Sequence, residues 1–229
     1  MLMSKTRLAG SRAPPGHRTR VGQERRARTL ERILAAAVEV FGRDTYATPV
    51  IDEFIRAAGL SRGTFYNYFK STEELLQATS GWLEDRLVTA ITDAMVNTKD
   101  PGERLCMGLR LWLNTAELDP IFCAFVARQR WRGEQVEREV TKDLRAGLRM
   151  GILQSSSLES ARDLFMGAAR EAMVRMSAGP VGTAYSPEVV RLILRGLGMS
   201  EADVAKSLKR PLPSLSSSSV KAKARDASK

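Results

Sequence analysis

Residues 60–70, Leu-Ser-Arg-Gly-Thr-Phe-Tyr-Asn-Tyr-Phe-Lys, decide how this chain is read. They predict a very short helix with polar and aromatic groups on its exposed face. Ser61 is a suitable N-cap, since its hydroxyl can accept from free backbone N–H groups one turn on. Phe65 and Phe69 lie four apart and share a face, so both can anchor the helix to a core. That arrangement turns Arg62, Gly63, Thr64, Tyr66, Asn67 and Lys70 outward or sideways. Such a face suits phosphate and base-edge contacts better than it suits folding.

The preceding residues complete a helix-turn-helix. Thr48-Pro49 reads as a helix start, because proline is tolerated where its missing N–H is not needed. Ile51, Phe54, Ile55 and Ala58 follow at helical spacing. Gly59 supplies a left-handed residue to end that helix, and Leu60 can plug the turn. The motif runs from about residue 50 to residue 69, two short helices around a glycine turn.

A helix is predicted on each side of the motif. Residues 24–42 carry Leu30, Ile33, Leu34, Ala37, Val38 and Phe41 on one stripe, with Gly42 closing it. Ser71-Thr72-Glu73-Glu74 reads as a capping box, with Glu74 reaching back. It opens a long helix through Leu75, Leu76, Trp82, Leu83, Leu87, Ile91 and Met95. Further helices follow over 101–117, from Asp119-Pro120 with Ile121, Phe122, Phe125 and Val126 inward, and over 133–153, 158–177, 186–198 and 200–209. No segment sustains a two-residue alternation and no internal repeat is evident. The fold class is therefore all-α.

The run ERILAAAVEVFGRDTYATPVIDEFIRAAGLSRGTFYNYFKSTEELL resembles the N-terminal domain of the tetracycline-repressor-like (TetR/AcrR) regulators over nearly all of residues 25–77. The likeness rests on linked features: Phe41-Gly42, Tyr46, Ala58-Gly59, the Gly-Thr-Phe-Tyr-Asn-Tyr-Phe core and the Glu-Glu-Leu after the cap. Carried over by position, it implies DNA contacts at Thr48, Arg62, Gly63, Thr64, Tyr66, Asn67, Tyr68 and Lys70. The same positions admit a plainer reading, in which Tyr68 joins the core and Asn67 is only solvated. The chain departs from the family pattern at Pro49 and Val50, where hydroxyl residues are common, and at Thr72, where a phosphate-binding lysine is common.

The resemblance implies a larger second domain that dimerises and holds a ligand. The division is then a disordered basic arm over 1–23, a DNA-binding domain over 24–84, a regulatory and dimerisation domain over 85–210, and a disordered Ser/Lys-rich tail over 211–229. A four-helix-bundle interface built from the last two large helices would use Phe165, Ala168, Ala169, Ala172, Met176, Val190, Ile193 and Leu197. An independent argument also favours a dimer. One short reading helix touches few bases, and helix-turn-helix dimers bind two half-sites roughly 34–36 Å apart. A cavity for a small apolar or amphipathic ligand would be lined by Met95, Met107, Trp112, Phe122, Phe125 and Trp131, with Asn114 and Gln129 as polar contacts. Aromatic and methionine positions at helical spacing equally describe plain core.

Composition narrows the alternatives. The net charge is +10, but residues 1–28 hold eight Lys/Arg against one Glu, and residues 209–229 hold six against one Asp, which leaves the body between them at −2. The basicity of the ends favours a polyanion. His17 is the only histidine and lies in the arm, which argues against histidine-based acid–base chemistry and most zinc sites; no enzyme activity, metal or cofactor is expected. No apolar h-region follows the basic N-terminus, and no run approaches the roughly 18 apolar residues of a membrane span. The expected location is the cytoplasm, on the nucleoid. Cys106 and Cys123 read as small core residues or, if their helices face each other, as a redox pair. The expected function is a sequence-specific regulator binding a palindromic operator as a homodimer, a repressor released by a ligand. The rival is a DNA-organising or cell-division adaptor on the same fold without a ligand.

Overall fold

The computed structural model describes residues 16–43, 49–128, 134–155 and 157–215. Within them the chain forms α1 (Gly16–Gly42), α2 (Ile51–Ala57), α3 (Arg62–Tyr66), α4 (Thr72–Ala94), α5 (Pro101–Leu118), α6 (Pro120–Arg128), α7 (Glu134–Arg149), α8 (Leu158–Ser177), α9 (Tyr185–Gly196) and α10 (Glu201–Lys209). Among the described residues no strand is formed. No helix there is long and apolar enough to cross a membrane.

Two apolar cores result. The smaller joins α1 to the helix-turn-helix through Ile33, Leu34, Ala37, Phe54, Phe65, Phe69 and Leu75. The larger gathers α4 from Leu83 onward with α5 to α10. α4 thus begins in one core and ends in the other. Phe41 spans the same gap on α1: its ring lies 4.7 Å from Phe54 and 6.1 Å from Phe125 of α6. Such aromatic pairs resist sliding because their ring edges and faces must stay matched.

Helix starts follow the sequence signals, with differences. Asp100 caps α5 through the Glu103 N–H at 2.8 Å, with Pro101 in the first turn. Ser157 and Ser200 cap α8 and α10. α2 begins at Ile51, two residues after Pro49, so Pro49 is not its first residue. Val50 is the N-cap and has no side-chain acceptor; Glu53 Oε1 instead accepts the Val50 N–H at 3.1 Å. The cap of α4 is shifted in the same way. Ser71 accepts from the Glu74 N–H, while Glu74 Oε2 accepts from the N–H of Lys70, one residue before the cap.

α1 starts at Gly16, so residues 16–23, expected to be part of an unstructured arm, continue the helix. No proline falls between Pro15 and Pro49, and Arg20 pairs with Glu24 one turn on at 3.2 Å. Residues 1–15 lie outside the described residues. The expected tail likewise begins later than residue 211, because Leu212 and Leu215 pack on the larger core. Arg110 holds this end by donating to the carbonyls of Ser207 and Arg210 at 3.1 and 2.8 Å.

Gly59 has φ +59° and turns the chain between α2 and α3, as its position implied. Gly42 has a different role from the one expected. It carries no positive φ; a Cβ there would lie 2.6 Å from Ile121 Cγ2 and 2.7 Å from its carbonyl oxygen. Glycine therefore lets α6 approach the end of α1. Ile121, expected inward, sits at this contact and remains exposed.

Candidate nucleic-acid interface and ligand cavity

The reading helix is held by its ends and its two phenylalanines. Ser61 Oγ accepts the Thr64 N–H at 3.2 Å and lies 2.8 Å from the Thr64 hydroxyl. Phe65 and Phe69 are buried with ring centroids 6.2 Å apart. The remaining side chains face outward. Arg62, Gly63, Tyr66, Asn67 and Lys70 are exposed, and Thr64 is half-buried. A side chain added at Gly63 would meet nothing within 4 Å. Folding therefore does not require glycine at that position, whereas close approach of a partner's backbone would.

Arg62 is not idle in the free protein. Its Nη2 donates to both oxygens of Asp52 on α2, at 2.6 and 2.5 Å. The Asp52 bond raises the guanidinium pKa above its ordinary value. Tyr68 is anchored rather than free, as the plainer reading had it. Its hydroxyl donates to the Arg26 carbonyl at 3.3 Å, and the Arg26 guanidinium lies 5.3 Å from its ring centroid. Tyr68 thereby places a basic turn of α1 beside the reading helix. Thr48 lies outside the described residues. Among the described residues, Lys70 offers an ammonium group without a partner, and Val50 is exposed at the head of α2.

A cavity of about 600 Å³ opens in the larger core between α4, α5, α7 and α8. Of the expected lining residues, Met95 and Trp112 face it. Met107, Phe122 and Phe125 are buried elsewhere in the core, Phe122 edge-on to Trp112 at 5.6 Å and Phe125 against Phe41. Asn114 is half-buried outside the lining, and Gln129 and Trp131 lie outside the described residues. The polar wall was not foreseen. Arg104 of α5 and Asp143 of α7 form a mostly buried ion pair at 2.9 Å. At the rim Arg162 of α8 pairs with Glu137 of α7 at 3.1 Å. These partners are 39 and 25 residues apart and share no local pattern, so no periodicity could reveal them.

Glu84, also missed, lies buried on α4 and accepts the Val136 N–H at the start of α7 at 2.8 Å. Burial is the main cause that pushes its carboxyl pKa up. Cys106 and Cys123 are free and buried, and burial pushes both thiols up to about 11. They stay protonated near neutral pH, the unreactive form of the group.

The expected interface residues divide. Phe165, Ala172, Val190, Ile193 and Leu197 are buried within the single chain. Their helical stripe faces α5 and its neighbours, because one chain alone must cover it. Ala168, Ala169 and Met176 are half-buried. The outward stripe instead carries Leu164, 42% exposed, and Leu192, 58% exposed. Leu164 lies over α9, with its Cδ2 3.1 Å from where a Cβ on Gly196 would stand.

Residues 33–79 match the family model described as bacterial regulatory proteins, tetR family. An uncharacterised HTH-type transcriptional regulator of Mycobacterium tuberculosis is 32% identical over 100 residues, which are 44% of this chain and 50% of the relative. The HTH-type transcriptional activator FasR of Mycolicibacterium smegmatis is 30% identical over 118 residues, 49% of this chain and 54% of that one. The chain thus spans about half the length of the curated relatives it matches. Among solved structures, RolR in complex with resorcinol superposes with a TM-score of 0.65 at 23% identity, covering 85% of this chain and 100% of RolR. FadR from Bacillus subtilis in complex with stearoyl-CoA superposes at 0.64 with 19% identity, covering 72% and 97%. At these identities the superpositions speak for the fold. Residues 33–79, which hold the helix-turn-helix, are thus similar to the tetR family of bacterial regulatory proteins, on a helical fold that RolR and FadR share.

Proposed function

We propose that the protein is a dimeric, ligand-responsive transcriptional regulator that binds a palindromic operator and, as a repressor, leaves it when the cavity fills. The observation that carries the DNA-binding part is the outward face of α3. Its apolar residues are spent on the core, and Gly63, Thr64, Tyr66, Asn67 and Lys70 remain for a partner. Lys70 and Arg62 supply phosphate contacts, and Thr64 and Gly63 approach base edges. Such a protein works on the nucleoid in the cytoplasm.

The ligand-responsive part rests on α4. One rigid helix runs from the cap at Ser71, directly after the reading helix, to Met95 in the cavity wall. A ligand that favours one position of its far end shifts the population of operator-competent heads. The dimer rests on the outward Leu164 and Leu192. The relatives differ in what their names say of them: FasR is called an activator, and RolR and FadR were solved with resorcinol and stearoyl-CoA.

The test is selection of random duplex DNA by the purified chain, followed by sequencing. An inverted repeat bound by two or four chains is expected. Sequence-indifferent binding, or a single half-site bound by one chain, would overturn this reading and leave the DNA-organising adaptor.

A further inference from the structure

Two groups in the cavity wall use only part of their hydrogen-bonding capacity. Arg104 Nε donates to both oxygens of Asp143, at 2.9 and 3.0 Å, and Nη1 donates to the Met95 carbonyl at 3.3 Å. Among the described residues Nη2 has no acceptor. Both Asp143 oxygens share that one N–H, although a carboxylate can accept about four hydrogen bonds. The two side chains are only 13% and 11% exposed, and both face the cavity. A ligand in the cavity can use the donor and acceptor positions that this pair leaves free.

The charge of the pair limits what can relieve it. An anionic head reaching Arg104 would stand beside Asp143, and a cationic head reaching Asp143 would stand beside Arg104. Either would bury a third, uncompensated charge. A hydroxyl avoids this. Its O–H donates to Asp143 and its oxygen accepts from Arg104 Nη2, and the ion pair stays intact. Burial already pushes the Asp143 carboxyl up in spite of Arg104, so a new donor there is favoured. The rim offers a charged head little more. Arg162 is paired with Glu137 and Asp163, and Arg170 is exposed to water, where an ion pair gains little. The rest of the nearby wall is apolar: Ile91, Leu105, Leu109, Trp112, Phe165 and Met173. Indole, phenyl and thioether surfaces suit a flat ring.

We propose that the cavity selects an uncharged, flat, apolar molecule bearing a hydroxyl, a phenol-type ligand held by Asp143 as acceptor and Arg104 as donor. The inference rests on the cavity being the ligand site of the regulator proposed above.

The test compares four probes of one shape on the full-length wild-type chain by calorimetry: 4-propylphenol, propylbenzene, 4-propylbenzoate and 4-propylbenzylamine. The phenol is expected to bind about tenfold or more tighter than propylbenzene, the size of one hydrogen bond to a charged group, and tighter than both ions. Replacing the pair together, Arg104→Met with Asp143→Leu, should leave a folded chain, since buried ion pairs are often exchanged for apolar groups at no loss. It should abolish the preference for phenol over propylbenzene. An ion binding as tightly as the phenol, a phenol with no advantage over propylbenzene, or no phenol binding up to millimolar concentration would each overturn the proposal. Operator release is read separately by fluorescence anisotropy. Phenol binding without release keeps the ligand class and removes the regulatory reading.

Discussion

Glu84 Oε1 accepts the Val136 N–H at 2.8 Å, so a carboxylate on α4 closes the first turn of α7 from outside that helix. The backbone at Gln135 also favours the charged form of this carboxylate. Both helices line the cavity. Beyond its midpoint α7 is tied to the end of α4 through Asp143, Arg104 and the Met95 carbonyl. α7 therefore rides on α4 at two points that bracket the ligand space, and a shift of either helix must be answered by the other.

Removing the Glu84 bond should be visible in stability. Glu84→Ala leaves the Val136 N–H in the first turn of α7 unpaired and should cost about 1–2 kcal/mol. Glu84→Gln keeps an acceptor and removes the buried charge. Because burial raises the folded carboxyl pKa, its stabilising share is complete below the ordinary value of 4.5 and is lost as the pH rises through the folded pKa. Relative to wild type, Glu84→Gln should therefore gain stability between pH 4 and pH 7. Urea midpoints at the two pH values check the sign. A constant difference would show that Glu84 has the same pKa in the folded and unfolded chain.

Gly63 allows folding and function to be separated. Alanine there meets no atom of the chain, and alanine is favoured over glycine in a helix by up to about 1 kcal/mol. Gly63→Ala should leave the melting temperature unchanged or raise it, yet weaken operator binding tenfold or more because the added methyl holds the helix off the groove. If the variant binds as wild type does, the face of α3 is not in close contact with DNA.

The Asp52–Arg62 pair makes an opposite prediction. Asp52 occupies Arg62 in the free protein and would stand as a negative charge near phosphate in the complex. Asp52→Ala should raise affinity for any duplex and steepen its salt dependence by about one unit. Arg62→Ala should lower both. Anisotropy titrations across a salt series measure this directly. Equal slopes in all three proteins would remove Arg62 from the phosphate contacts.

The sequence was informative where structure is local. Ser61, Gly59, Phe65 and Phe69 act over a few residues, so their spacing states their roles. Helix caps were less exact, because the backbone N–H groups of Val50 and Lys70 donate to the Glu53 and Glu74 carboxylates, bonds that a residue-by-residue pattern places one position off. The cavity was hardly legible. Its ion pairs join helices far apart in the chain, and core phenylalanines such as Phe122 and Phe125 have the same spacing as lining residues would. The face of α8 is ambiguous for a related reason. Small apolar residues mark close packing but not whether it lies within one chain or between two.

That ambiguity sets the last prediction. Ala172 is buried against the core of its own chain, whereas Leu164 and Leu192 stand outward on neighbouring helices. Two outward leucines beside Gly196 form a knob and a shallow seat, and a second copy turned by a two-fold axis can offer the same pair in return. Leu164→Glu and Leu192→Glu should each place a carboxylate in that contact and dissociate the dimer, with helix content and the melting temperature of the monomer retained. Operator affinity should fall steeply, since each head alone makes few base contacts. Ala172→Glu should behave differently. It buries an unpaired charge inside one chain, a loss of about 3–5 kcal/mol, and should unfold the domain rather than split the dimer. Sedimentation with circular dichroism separates the two outcomes. A dimer that survives both leucine changes would place the interface elsewhere, and a folded monomer from Ala172→Glu would return that alanine to the interface.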